Sequence, residues 1–161
     1  MTSRKTATIA IFTLSTLLTA SLVPLSVSGN QGAKITSGKF STYAAGIDRA
    51  YDITGRAMMI RTPNGKTIVD IRVKNLFPNT SYMTHVHNLP CNVKNGGGHY
   101  QHEVGGAVDE INEIWPVFTT NAAGIGNGFA KNDFYARPDA QSIVVHDTDG
   151  ARIACADLTK K

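Results

Sequence analysis

Thr84-His85-Val86-His87-Asn88-Leu89-Pro90-Cys91 is the stretch whose reading decides what this chain is built to do. Along an extended strand successive side chains alternate between faces, so His85 and His87 present two imidazoles to one side while Val86 points into a core. Two histidines so placed can offer nitrogen to a single ion. Downstream, Gly96-Gly97-Gly98-His99-Tyr100 supplies a third, and Ser142-Ile143-Val144-Val145-His146-Asp147 supplies a fourth shortly before Cys155. The glycines let the backbone turn closely enough for His99 to reach inward. The outline is a metal site carried on β-strands.

The flanking sequence reads as strands and turns. An apolar segment over 56–61 leads through Pro63-Asn64-Gly65-Lys66 into the alternating Thr67–Lys74, and Asn-Gly between two such runs signals a hairpin. Leu76–Ser81 turns the chain into a strand over 82–87. A second hairpin is expected from 117–120 and 125–130 around Asn121–Gly124, and a third from 142–146 and 152–158 around Asp147–Gly150. Short strands with regular turn signals indicate an all-β fold, a Greek-key β-barrel or sandwich of about eight antiparallel strands. The irregular stretch from Pro90 to Pro116 is the exception. A loop of that length within a compact domain is usually functional, and this one carries His99, His102 and four acids. Trp115 and Tyr100 read as packing residues.

Arg4 and Lys5, a mainly apolar run over 9–25 and small residues at 26–29 read as a secretory signal peptide over 1–29. A retained anchor is the alternative, but Thr13, Ser15, Thr16, Thr19 and Ser21 dilute the run. Residues 30–38 read as a short linker, leaving one β domain over 39–161 and no membrane segment after cleavage. Cleavage would lower the formal charge from +4 to +2 by removing Arg4 and Lys5. A weakly basic balance without a cluster gives no case for nucleic acid and mildly favours a small anionic substrate. Two cysteines in an exported chain suggest one disulfide, against two buried thiols or a cysteine ligand.

With His-Val-His, Cys followed by Gly-Gly-His-Tyr, Val-Val-His-Asp and Gly-Ala-Arg-Ile-Ala-Cys in place, the chain resembles the copper-zinc superoxide dismutase family over about Arg56 to Leu158. The resemblance implies that His85, His87 and His146 are copper ligands and that His99 bridges copper to zinc. It implies that Cys91 and Cys155 form the intrasubunit disulfide, and that Arg152 steers superoxide to copper. An all-imidazole set suits copper, and a guanidinium gives an anion a fixed charged target.

The departure lies in the zinc site. The family supplies two further histidines and an aspartate, whereas only His102 stands between His99 and His146, with Asp109, Glu110 and Glu113 nearby. A zinc site of His99, His102 and a carboxylate is chemically feasible. The incomplete histidine set favours an exported, bacterial-type member that uses copper alone, in which Glu110 or Glu113 holds the other ring nitrogen of His99. The implied activity is dismutation of superoxide, with Arg152 and His99 as catalytic residues and His99 helping to deliver protons. A copper-binding or copper-buffering protein is the alternative, and a structural zinc-bound or metal-free interaction module a third. Arg152 beside all four candidate ligands argues for turnover. A homodimer stays open, as does the choice among periplasm, cell surface and secretion.

Overall fold

The computed structural model describes residues 32–160, so the expected signal peptide lies outside the described residues. The strands are β1 Lys34–Lys39, β2 Ser41–Thr42, β3 Thr54–Arg61, β4 Thr67–Lys74, β5 Ser81–His87, β6 Phe118–Thr119, β7 Gly126–Asn132, β8 Ser142–His146, β9 Arg152–Asp157 and β10 Thr159–Lys160, with one short helix, α1, at Ala44–Ile47. They form two five-stranded sheets, β10-β1-β3-β4-β7 and β2-β9-β8-β5-β6, with antiparallel pairing throughout. The expected all-β architecture is therefore a sandwich rather than a closed barrel. Three of its strands have only two residues.

The Asn64-Gly65 hairpin pairs β3 with β4 from Thr54↔Lys74 to Arg61↔Thr67. Alternation in β4 buries Thr67, Val69, Ile71 and Val73 and exposes Asp70, Arg72 and Lys74, as a strand with one face on a core requires. Those apolar side chains meet Tyr82 and Val86 of β5, Ile143 and Val145 of β8, and Ile153 and Ala156 of β9 in a single core. Burial of each large aliphatic side chain contributes about 1.5–3 kcal/mol.

Two expectations need correction. The segment read as a linker over 30–38 is in large part strand β1, paired antiparallel with β3 from Lys34↔Arg61 to Lys39↔Arg56. Its polar composition hides the pairing. Gly38, easily read as linker flexibility, is required by close approach, because a Cβ there would collide with the Asp157 carbonyl. Nor do β6 and β7 form a hairpin: β6 pairs with β5 and β7 with β4, so the Asn121–Gly124 turn carries the chain from one sheet to the other. The Phe118 ring stacks on Tyr82 at 5.7 Å and fills the space that a side chain at Gly126 would need. Contact between the two strands is thus across the layers.

The second sheet carries the histidines on its outer face. Tyr82 and Val86 face the core, so Met83, His85 and His87 face outward. Burial along β5 alternates up to Thr84 and then becomes continuous. The outward histidines are covered by the long connection that follows. Its start is fixed by the Cys91–Cys155 disulfide, with Cα atoms 5.8 Å apart, and by the Cys91 N–H donating to Asp157 Oδ1 at 2.7 Å. Farther on, the Tyr100 N–H donates to the Val86 carbonyl and the Val86 N–H to the Ile114 carbonyl, at 2.8 and 3.0 Å. Tyr100 and Ile114 are fully buried. A segment without long regular structure is thereby pinned at three places.

Candidate metal centre

Strand register brings three of the histidines together. His85 and His87 lie two apart on β5, and β8 pairs with β5 so that His146 is opposite Met83, diagonal to His85. His99 arrives from the loop through a single bridge to His87. Glycines make that arrival possible: Gly96 and Gly97 have φ of 91° and 73°, and a side chain at Gly97 would crowd Asn88 and Leu89. The candidate ligand atoms of His85, His87, His99 and His146 all lie within 4.8 Å of one another.

Hydrogen bonding aims the rings. His87 Nδ1 lies 3.3 Å from the Gly97 carbonyl, and His146 Nδ1 lies 3.1 Å from the Gly150 carbonyl. A carbonyl can only accept, so each Nδ1 is the donor and each Nε2 keeps its lone pair. Those two Nε2 atoms face each other at 3.3 Å. Two lone pairs at that separation repel unless a proton or a cation lies between them. His85 Nδ1 is buried without a hydrogen-bond partner among the described residues, an expensive state for a polar atom unless something binds it. The donor set of three ring nitrogens around an orphaned fourth fits a metal ion that prefers imidazole.

His99 is held differently. Its Nδ1 donates to Glu113 Oε2 at 2.7 Å, leaving Nε2 toward the other rings. Glu113 is 1% exposed and also accepts from Trp115 Nε1 at 2.8 Å and Gln101 Nε2 at 3.3 Å. A buried carboxylate with three donors is a satisfied one. Trp115 also packs edge-on to His85, with ring centroids 5.3 Å apart. Reading Trp115 as packing misses its second contact, with Glu113; its only signal in the sequence is its place two residues beyond that acid.

Burial holds three of the rings, His85, His87 and His146, toward their neutral form. The pKa of His85 is pushed down to about 3, first by burial and then by His99 and His146. That of His87 is also pushed down to about 3, by burial and then by His99, Arg152 and His146, against the opposing pull of the Gly97 carbonyl. His146 is lowered chiefly by burial, which outweighs the Gly150 carbonyl. Neutral imidazole is the form that binds metal. Arg152 sits opposite His146 at a bulge between β8 and β9, and its Nη1 donates to the Lys94 and Asn95 carbonyls, both at 3.0 Å. The guanidinium is braced against the loop, and its charge reaches His87 and His146.

The remaining candidates are elsewhere. His102 stacks on Phe134 at 4.2 Å, the Asp109 carboxylate accepts the Ile111 and Asn112 N–H groups, and the Glu110 carbonyl is held by Asn132. All three line a cleft of about 890 Å³ with Phe129 and Lys131. Among the described residues, the four histidines are the only group of metal-ligating side chains to converge. The centre itself opens into a separate cleft of about 900 Å³, lined by Met83, His85, His99, Val117, His146 and Thr148 among others.

The two-sheet antiparallel sandwich is a fold found among superoxide dismutases. A solved structure of superoxide dismutase 5 from Candida albicans, in a variant form, matches with a TM-score of 0.56 over 81% of this chain and 94% of that one, at 18% sequence identity. No protein-family model and no curated protein matches the sequence. At that identity the likeness carries the fold, and the chemistry has to be argued from the site.

Proposed function

We propose that this chain is an exported superoxide dismutase that works with copper held by His85, His87, His99 and His146, without zinc. The observation that carries this reading is the convergence of four imidazoles, with an orphaned nitrogen and two opposed lone pairs, beside a braced arginine. A copper ion held there would supply one-electron exchange between Cu(II) and Cu(I), the chemistry that converts superoxide to dioxygen and hydrogen peroxide.

The chain's own residues bind, guide and protonate. Arg152 offers a permanently charged, planar donor at the edge of the centre, where it can draw a small anion inward. Glu113 keeps a proton on His99 Nδ1, so that His99 Nε2 is the ring nitrogen that would hold copper and, whenever it does not, the atom able to take up and release a proton toward the product. Occupation of that Nδ1 by Glu113 at 2.7 Å also supports the copper-only reading, because a bridging histidine would give the same atom to zinc. His102, stacked on Phe134, is not directed to that position. The Cys91–Cys155 bond supports an oxidising compartment.

A copper-buffering protein would need the same imidazoles but no braced cation beside them. The test is superoxide decay followed directly at several ionic strengths, with metal content measured on the same copper-loaded sample. We expect well under one zinc ion per chain and a rate that falls as salt is added. Arg152→Ala should retain copper, decay superoxide more slowly and respond less to salt, and Arg152→Lys should recover part of the loss. Bound copper without accelerated decay would make the chain a copper-binding protein; stoichiometric zinc after dialysis would overturn the copper-only reading alone.

A further inference from the structure

The cleft that opens on the histidines has an unusual residue at its mouth. Met83 lies on β5 two residues before His85 and four before His87, on the same outward face of the strand. It is the cross-strand partner of His146, and directly opposed residues in an antiparallel pair bring their Cβ atoms to about 4.5–5.5 Å. It is 47% exposed, whereas His85 and His146 beside it are 6% and 8% exposed. All three line the same cleft.

A single exposed methionine is ordinary on a protein surface. Position is what distinguishes this one. A thioether is a soft donor that favours Cu(I), while imidazole accepts either copper state. Met83 is the only sulfur among the residues lining this cleft, and it stands on the solvent side of buried, neutral imidazoles whose burial would otherwise oblige an entering ion to lose its water before gaining a ligand. Its flexible side chain can meet the ion outside and release it inside.

Resting on the copper reading above, we propose that Met83, with His146 and His85, forms an entry site for Cu(I), through which the four-histidine centre is loaded. Met83 binds first, and the neighbouring imidazoles draw the ion inward. The donors run from one exposed thioether to several buried imidazoles, which gives loading a direction.

The test uses the mature, disulfide-bonded protein freed of metal, with Cu(I) supplied anaerobically from a bicinchoninate complex. Cu(I) is diamagnetic, so methionine methyl groups labelled with carbon-13 can be watched during the titration, Met83→Leu assigning the signal. The expected results are a shift of the Met83 methyl at substoichiometric Cu(I) and loading at least several-fold slower in Met83→Leu. Cu(II) occupancy and the paramagnetic resonance spectrum of that variant after long incubation should match the parent. A methyl signal that stays fixed while the histidines fill, or an unchanged loading rate in Met83→Leu, overturns the entry site and leaves the dismutase reading intact. A shifted methyl and slow loading in a protein that does not consume superoxide would overturn dismutation and uphold the entry site. Failure of the histidines to take copper in either state would overturn both.

Discussion

His87 and His99 face each other across the candidate metal centre with ring centroids 5.0 Å apart, yet they are held there by different means. His87 belongs to a strand whose backbone pairs with β8 on one side and whose neighbours Val86 and Thr84 are fully buried. Its direction follows from the pleat. His99 belongs to a segment with almost no regular structure, and its direction depends on glycines with positive φ, one bridge to His87, a hydrogen bond to Glu113 and a distant disulfide. The strand side of the centre is rigid because the fold is rigid; the loop side has to be tied. Changes on the strand side should therefore act on metal binding outright, while changes on the loop side should act through order and protonation.

The largest effect is expected on the strand side. His87→Ala removes a proposed ligand whose Nε2 faces that of His146 at 3.3 Å, and among the described residues no other histidine outside the cluster converges there. Copper affinity should fall by more than the roughly 10–100-fold typical of losing a residue that merely orients a ligand. Competition against a chelator measures this, and paramagnetic resonance should report fewer nitrogen donors. Full occupancy with an unaltered spectrum would remove β5 from the centre.

Next in size is the tie between the two regions. Cys155 lies in register with Val144 and, through it, with His85, while Cys91 starts the loop. Closing a loop with a sequence separation of 64 is worth about 4 kcal/mol in the chain-entropy model. Replacing both cysteines by serine should lower the denaturant midpoint accordingly. Amide exchange should rise in the loop over 91–100 before it rises in β4 or β8, since local opening is drawn from the least buried segment. Uniform loosening of both sheets would mean that the disulfide secures the sandwich as a whole rather than the loop.

How much of this was legible in the sequence follows the same division. The strand histidines could be placed from a period of two, and the Asn64-Gly65 hairpin from its turn chemistry. The loop could be flagged by its length and its acids, but the choice between Glu110 and Glu113 could not be made. That choice depends on Ile114, which is buried in the core and accepts the Val86 N–H, so that Glu113 is carried beneath the loop beside His99. Glu110 stays at the rim, its carbonyl held by Asn132 of β7. Both contacts join residues far apart in the chain, which local patterning does not report. β1 and the β6–β7 crossover are hidden from the sequence for the same reason: each is defined by its partner in the sandwich rather than by its own residues.

The smallest effect, and the sharpest test of the loop side, belongs to Glu113. Its Oε2 accepts from both His99 Nδ1 and Trp115 Nε1, and its Oε1 accepts from Gln101. In Glu113→Gln an amide must stand among these three donors. Its oxygen can serve one side only, and its NH2 then confronts a donor on the other. Either His99 changes tautomer and presents a protonated Nε2 to the centre, or a buried hydrogen bond is lost at about 1–3 kcal/mol. Copper affinity should drop by about 10–100-fold, less than for His87→Ala, and the nitrogen-15 spectrum of the metal-free variant should show the proton on His99 shared between its two nitrogens. An unmoved tautomer with unmoved affinity would mean that the amide oxygen takes the place of Oε2 and Gln101 gives way, so that residue 113 aims this imidazole through one acceptor oxygen rather than through its charge.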